Sequence, residues 1–232
     1  MTETRYMRIG LDITALAGGL TSGTPVYLYN LLRAMLDTEP EARFSLLYNH
    51  RRESLPPEIA EISTDPRVEI VCRHLSRGAV PADGWWFPYH PSVSKLLGPL
   101  DVYHAGDSIW PRADGTPTVI TVHDVTTKLY PEHHWWANRA RHARKLRWAR
   151  RSADRIIAVS SATRLDLVRH LGVESSRIDV VPEARGWTPA TGLDREPSIL
   201  DVRQRYGLAD RPYILTVGTL EPRKNHVRLI RA

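Results

Sequence analysis

The sequence predicts an α/β fold: a doubly wound parallel sheet covered by helices on both faces. Three observations predict it. Short apolar runs recur along the chain, helical patterns separate them, and Gly, Pro, Ser or Asn mark most of the joints. With 232 residues, 42% of them hydrophobic and 25% charged, the chain can bury a sizeable core. Mean hydropathy of -0.35 and the lack of any apolar run near the roughly 18 residues that span a bilayer argue against a membrane span.

The elements follow in order. MRIGLDI (7–13) reads as the first strand and runs into the glycine-rich turn ALAGGLTSGTPVY (15–27). Pro25, placed in a first helical turn, opens a helix to Leu36. Strands RFSLLYN (43–49) and VEIVCR (68–73) come next, then a short helix at Val93 to Leu97 and the strand DVYHA (101–105). PTVITVHDV (117–125) precedes a long helix from about His133 to Ala153. RIIAVS (155–160) leads to a helix over Ser161 to Leu171, with Ser160 or Ser161 to cap its start and Gly172 to end it. After IDVVPEA (178–184) the stretch GWTPATGLDREPS (186–198) reads as an interdomain linker. The helix SILDVRQRYGL (198–208) and the strand YILTVGT (213–219) follow it.

In this architecture ligands sit outside the carboxyl ends of the strands, so working residues are sought just after them. His123 and Asp124 end the fifth strand, where an imidazole and a carboxylate can bind hydroxyls or phosphate, or simply cap the next turn. His104 and Asp107 follow the fourth strand in the same layer. Gly18 and Gly19 let backbone approach a ligand near a helix N-terminus, although the turn is neither GxGxxG nor a Walker loop. That missing fingerprint, with no acidic residue placed to follow it, disfavours a nucleotide-dependent oxidoreductase. The segment VGTLEPRKN places Arg223 and Lys224 between a strand and a helix start, a common way to hold phosphate. The cluster GWWFPYHPS (84–92) can anchor a loop or stack on sugar faces.

Charge adds a second theme. The net charge is +6, and the helix HHWWANRARHARKLRWARRSA carries six arginines and one lysine. On a wheel of about 100° per residue, Trp135, His142, Leu146, Ala149 and Ala153 form the core stripe. The basic residues then form a solvated face, or a surface for an anionic acceptor or a membrane; no nucleic-acid reader motif accompanies them. Cys72 reads as a buried, inert thiol, since one cysteine forms no internal disulfide. The histidines lack the spacing of a zinc site, so no metal is expected. The N-terminus has no secretory pattern, which points to the cytoplasm or the inner membrane surface.

Four stretches together resemble glycosyltransferase family 4, whose members have the two-domain GT-B fold. They are LDITALAGGLTSGTPVYLYNLLRAML, TVHDV, ADRIIAVSSATRLDLVRHLGV with IDVVPEA, and ILTVGTLEPRKN. The resemblance implies a retaining hexosyltransferase that uses a nucleotide sugar, without cofactor or obligatory metal. The acceptor it implies is a glycan, a glycolipid or a small metabolite. It implies that residues 1–190 are a Rossmann-like acceptor-binding domain, 191–211 a linker, and 212–232 the first strand and helix of a nucleotide-sugar-binding domain. On this resemblance His123 contacts the donor sugar as the catalytic residue, and Gly18, Gly19, Arg223 and Lys224 bind donor phosphates. Asp124, His104 and Asp107 become acceptor-side candidates. Members also carry two glutamates eight apart in the second domain, and the sequence stops short of such a pair, so this piece is expected to be inactive alone. The alternatives are a non-catalytic sugar- or membrane-surface-binding module, and one chain of a two-subunit transferase. Peripheral membrane contact through the basic helix 133–153 suits both kinds of reading.

Overall fold

The computed structural model describes residues 6–49, 55–73, 92–106, 114–184, 199–208 and 212–232. The chain divides into two compact units, Met1–Gly186 and Trp187–Ala232.

Among the described residues, the first unit holds a seven-stranded, all-parallel sheet. Its strands are β1 (Arg8–Asp12), β2 (Arg43–Asn49), β3 (Val68–Arg73), β4 (Val102–Ala105), β5 (Thr118–Val122), β6 (Arg155–Ala158) and β7 (Ile178–Val180). They lie in the order β3-β2-β1-β4-β5-β6-β7. The chain therefore starts in the middle, winds outward to one edge, returns, and winds outward to the other. Between β1 and β4 the winding reverses, which in open α/β sheets opens a crevice at the carboxyl ends. The ladder there pairs Ile9 with Val102 and Leu11 with His104.

Helices cover both faces: α1 (Gly23–Thr38), α2 (Pro57–Ile62), α3 (Val93–Leu97), α4 (Thr126–Leu129), α5 (Trp136–Ser152) and α6 (Ser161–Leu171). Alternation along β2 shows why two cores form. Phe44, Leu46 and Tyr48 pack with Ile9, Leu11, Leu28 and Leu32, whereas Leu47 points into a core with Tyr103, Ile120 and Leu146. The apolar runs predicted as the seven strands of this sheet are strands. The sequence reading missed α2 and α4, which are too short to show a helical period.

Local signals set the joints. The Ser160 hydroxyl accepts the Thr163 N–H at 3.0 Å and starts α6, while Gly172 ends it in the left-handed region at φ 62°. Arg177 donates to the carbonyls of Ala149, Arg150 and Ala153 and so satisfies the last turn of α5. Asp154 accepts the Thr118 N–H at 2.7 Å, tying the entry of β6 to β5.

Cys72, Trp135 and Lys145 depart from the sequence expectation. Cys72 is exposed, because it lies near the carboxyl end of the edge strand β3. Trp135 is also exposed, at 67%. It precedes the first turn of α5 with ψ 143°, so the helical wheel does not extend to it. Leu146, Ala149 and Ala153 are buried as predicted, and so is Lys145, which the sequence reading had left on the basic face.

The second unit contains α7 (Ile199–Arg205), a 3-10 turn at Pro222–Lys224 and α8 (His226–Arg231). Residues 213–219, predicted as a strand, form none. No described segment of this unit offers a ladder partner, and Ile214 and Val217 are 85% and 86% exposed. The stretch 185–198, which holds most of the predicted linker, lies outside the described residues.

Close approach fixes the crevice. A Cβ on Gly106, just past β4, would collide with both Leu28 methyls and crowd the Asp12 carbonyl oxygen at 3.2 Å. Gly106→Ala is expected to cost about 1–3 kcal/mol by overpacking. Urea unfolding of the 232-residue chain checks this, and an unchanged midpoint would show that α1 can shift.

Candidate functional site

A cavity of about 580 Å³ opens at the carboxyl ends of β1 and β5. Its walls come from three places. Thr14, Ala15, Ala17 and Gly18 follow β1, and Ser22, Thr24 and Pro25 form the start of α1. Val122, His123 and Asp124 close β5, and Arg141, His142, Lys145 and Leu146 project from α5. The 3-10 turn Thr14–Gly18 exists because the Asp12 carboxylate accepts the Thr14 N–H at 2.8 Å and bends the chain directly after β1.

His123 is held from several sides. Its Nδ1 lies 2.7 Å from Glu183 Oε1, and its ring meets Tyr27 edge-on with centroids 5.1 Å apart. The Thr163 hydroxyl donates to its carbonyl at 3.2 Å. In the tautomer that donates its Nδ1–H to the Glu183 carboxylate, Nε2 is a hydrogen-bond acceptor. Nε2 is shielded from water and has no hydrogen-bond partner among the described residues. Such a nitrogen costs about 1–3 kcal/mol, a cost that a bound hydroxyl would remove.

Asp124 does two jobs. It lines the cavity, and its Oδ1 accepts from the Thr126 N–H at 2.9 Å and the Thr126 hydroxyl at 2.7 Å, which starts α4. The capping role considered from sequence and the cavity position therefore coexist.

His104 is buried and outside the lining. Its Nε2 sits 2.8 Å from the Thr121 hydroxyl, which lies 3.1 Å from the Tyr27 hydroxyl. Burial, with smaller effects from the Lys145 ammonium and His123, pulls its pKa down to about 4. Burial likewise pushes the Tyr27 phenol upward. A neutral His–Thr–Tyr chain thus supports the ring of His123 from behind.

The predicted residues fall into three groups. His123, Asp124 and Gly18 meet at the cavity; Gly19, at φ 72°, ends the 3-10 turn but is outside the lining. Arg223 and Lys224 belong to the second unit, where Arg223 Nη2 pairs with Glu221 Oε1 at 2.5 Å. Asp107 and most of the aromatic cluster lie outside the described residues. The sequence reading missed Glu183, Arg141 and Lys145 as site residues. Glu183 lies three residues past the end of β7, close enough for the strand-end rule to have found it. Lys145 gave no such signal, since one lysine among arginines looks like surface. Among the described residues, no three His, Cys, Asp or Glu side chains gather as a metal site.

Residues 21–184 match the family described as Glycosyltransferase Family 4. O-antigen chain mannosyltransferase B of Escherichia coli is 34% identical over 116 residues, covering 49% of this chain and 29% of that protein. A solved glycosyltransferase from Rickettsia africae ESF-5 is similar with a TM-score of 0.44 and 12% identity, over 92% of this chain and 54% of that one. The chain therefore spans less than two thirds of either relative.

The depressed His104 pKa has a thermodynamic consequence. The unfolded state, with its histidine near 6.5, binds more protons than the folded state between pH 6.5 and about 4. This contribution to stability is complete above pH 6.5 and is lost as pH falls toward about 4. His104→Gln is expected to flatten the difference in urea midpoint between pH 7.5 and 4.5. Parallel pH dependence in both proteins would contradict a buried neutral His104.

Proposed function

The chain belongs to glycosyltransferase family 4, and from that premise we propose that it supplies the acceptor-side domain of a retaining transferase that uses a nucleotide sugar. One observation carries the reading. In a chain matched to this family over residues 21–184, the cavity lies at the reversal of strand order and presents His123 beside Gly18 and Asp124.

The proposed chemistry is a simple exchange at the sugar's anomeric carbon. A bond forms from an acceptor hydroxyl oxygen while the bond to the diphosphate oxygen breaks; negative charge grows on the departing diphosphate, which takes up the hydroxyl proton. Cations that meet that charge stabilise the transition state more than the ground state. Arg223 and Lys224 are the residues proposed for this task, with backbone at Gly18 and Gly19 on the donor phosphates. His123, oriented by Glu183, accepts a hydrogen bond from a sugar hydroxyl. Asp124 is the proposed acceptor-side ligand, and His104 is reassigned to support from behind. The likeness to a mannosyltransferase, at 34% identity over 116 residues, makes nucleotide-activated mannose the first donor to test.

Activity is a property of the whole protein, so the test uses the full-length enzyme. His123→Ala is expected to lower kcat by roughly 100- to 1,000-fold. Glu183→Ala is expected to lower it about 10- to 100-fold with KM little changed, while Glu183→Gln, which can still accept the Nδ1 proton, retains most of it. Unchanged kinetics for His123→Ala would remove this cavity from the reaction. Equal losses for Ala and Gln at position 183 would mean that Glu183 acts through its charge and not by orienting the ring.

A further inference from the structure

Helix α5 turns two different faces outward and inward. Lys145, Leu146, Trp148 and Ala149 are buried. On the opposite arc, at about 100° per residue, Trp136, Arg139, Arg147, Arg150 and Arg151 are exposed. No ion pair among the described residues engages the side chains of these four arginines. From His133 to Ala153 the sequence contains no Asp or Glu to neutralise them.

The start of this helix is aromatic. Trp135 and Trp136 are 67% and 68% exposed, with ring centroids 5.5 Å apart, and Tyr130 is 51% exposed nearby in sequence. Two adjacent indoles facing water are unusual in a soluble domain, because tryptophan carries the largest apolar surface of any side chain. Trp and Tyr with an apolar body and a polar edge settle at the boundary between lipid headgroups and acyl chains. Arginines along the same arc complement a negatively charged leaflet.

We propose that the outward arc of α5, with Trp135 and Trp136 as anchors, docks on an anionic membrane surface. The proposal commits to lipid because of this combination: charge complementarity along the arc, and paired indoles at one end that need an interface more than a phosphate backbone. No helix among the described residues is long and apolar enough to cross a membrane, so the contact is peripheral. The inference does not rest on the transfer chemistry, and its test needs no turnover. If the transferase reading also holds, α5 joins the two, since Arg141, His142 and Lys145 of the same helix line the cavity.

The experiment is sedimentation of the 232-residue chain with vesicles of phosphatidylcholine alone or with 30% phosphatidylglycerol added, at low and high salt. Binding is expected only with phosphatidylglycerol, and it should weaken at high salt. Replacing Arg139, Arg147, Arg150 and Arg151 with Ala should weaken it by at least roughly 100-fold, at about fivefold for each arginine near the surface. Trp135→Ala with Trp136→Ala should weaken it by about tenfold or more. Arg169→Ala, on exposed α6, should change nothing, and circular dichroism confirms that each variant is folded. Equal binding to neutral vesicles, no binding at all, or an arginine variant that binds as well as the parent would overturn the proposal. Displacement from the vesicles by an equimolar single-stranded oligonucleotide would overturn it too, in favour of nucleic acid.

Discussion

Everything at the site depends on one ladder, the parallel pairing of β1 with β4 in the middle of the sheet. Because successive connections leave this pair in opposite directions, a crevice at its carboxyl end is a consequence of topology. The pairing demands close packing. Gly106 gives Leu28 of α1 its seat, and Gly10 gives Leu100 and Leu97 theirs against the first strand. Larger residues at either place would move the helix or strand that frames the cavity.

From that frame the chemistry is assembled by short-range rules. Asp12 bends the chain after β1, Asp124 bends it after β5, and each carboxylate does so by taking a backbone N–H two residues on. These turns bring Thr14, Gly18 and His123 to the wall of the cavity. The His123 ring is then positioned by Tyr27 of α1 and Glu183 beyond β7, while Thr163 of α6 holds its backbone carbonyl. A ring held in this way loses little freedom when a ligand arrives, which favours selective recognition over loose contact.

Much of this was legible in the sequence because it is local or periodic. The sheet's strands announced themselves as apolar runs, the Ser160 and Gly172 signals bounded α6, and the strand-end rule singled out His123 and Asp124. What was not legible depends on partners far apart in sequence. The Glu183 bond to His123 spans 60 positions, and nothing within either segment specifies it. Lys145 is buried because of where α5 crosses the sheet, and Trp135 is exposed because the helix begins just after it. His104 looked like a twin of His123 by position, yet its side chain points into the core, where Thr121 satisfies it. Residues 213–219 show the opposite failure, in which a strand-like pattern has no ladder partner among the described residues.

On the proposed function, a sugar is held for transfer in the cavity beside His123. Crystals of the full-length protein soaked with nucleoside-diphosphate mannose would test it most directly. The hexose is expected to lie in this cavity with a hydroxyl within hydrogen-bond distance of His123 Nε2 and the diphosphate against the Gly18 turn. A donor sugar bound elsewhere, with the His123 cavity empty, would contradict it.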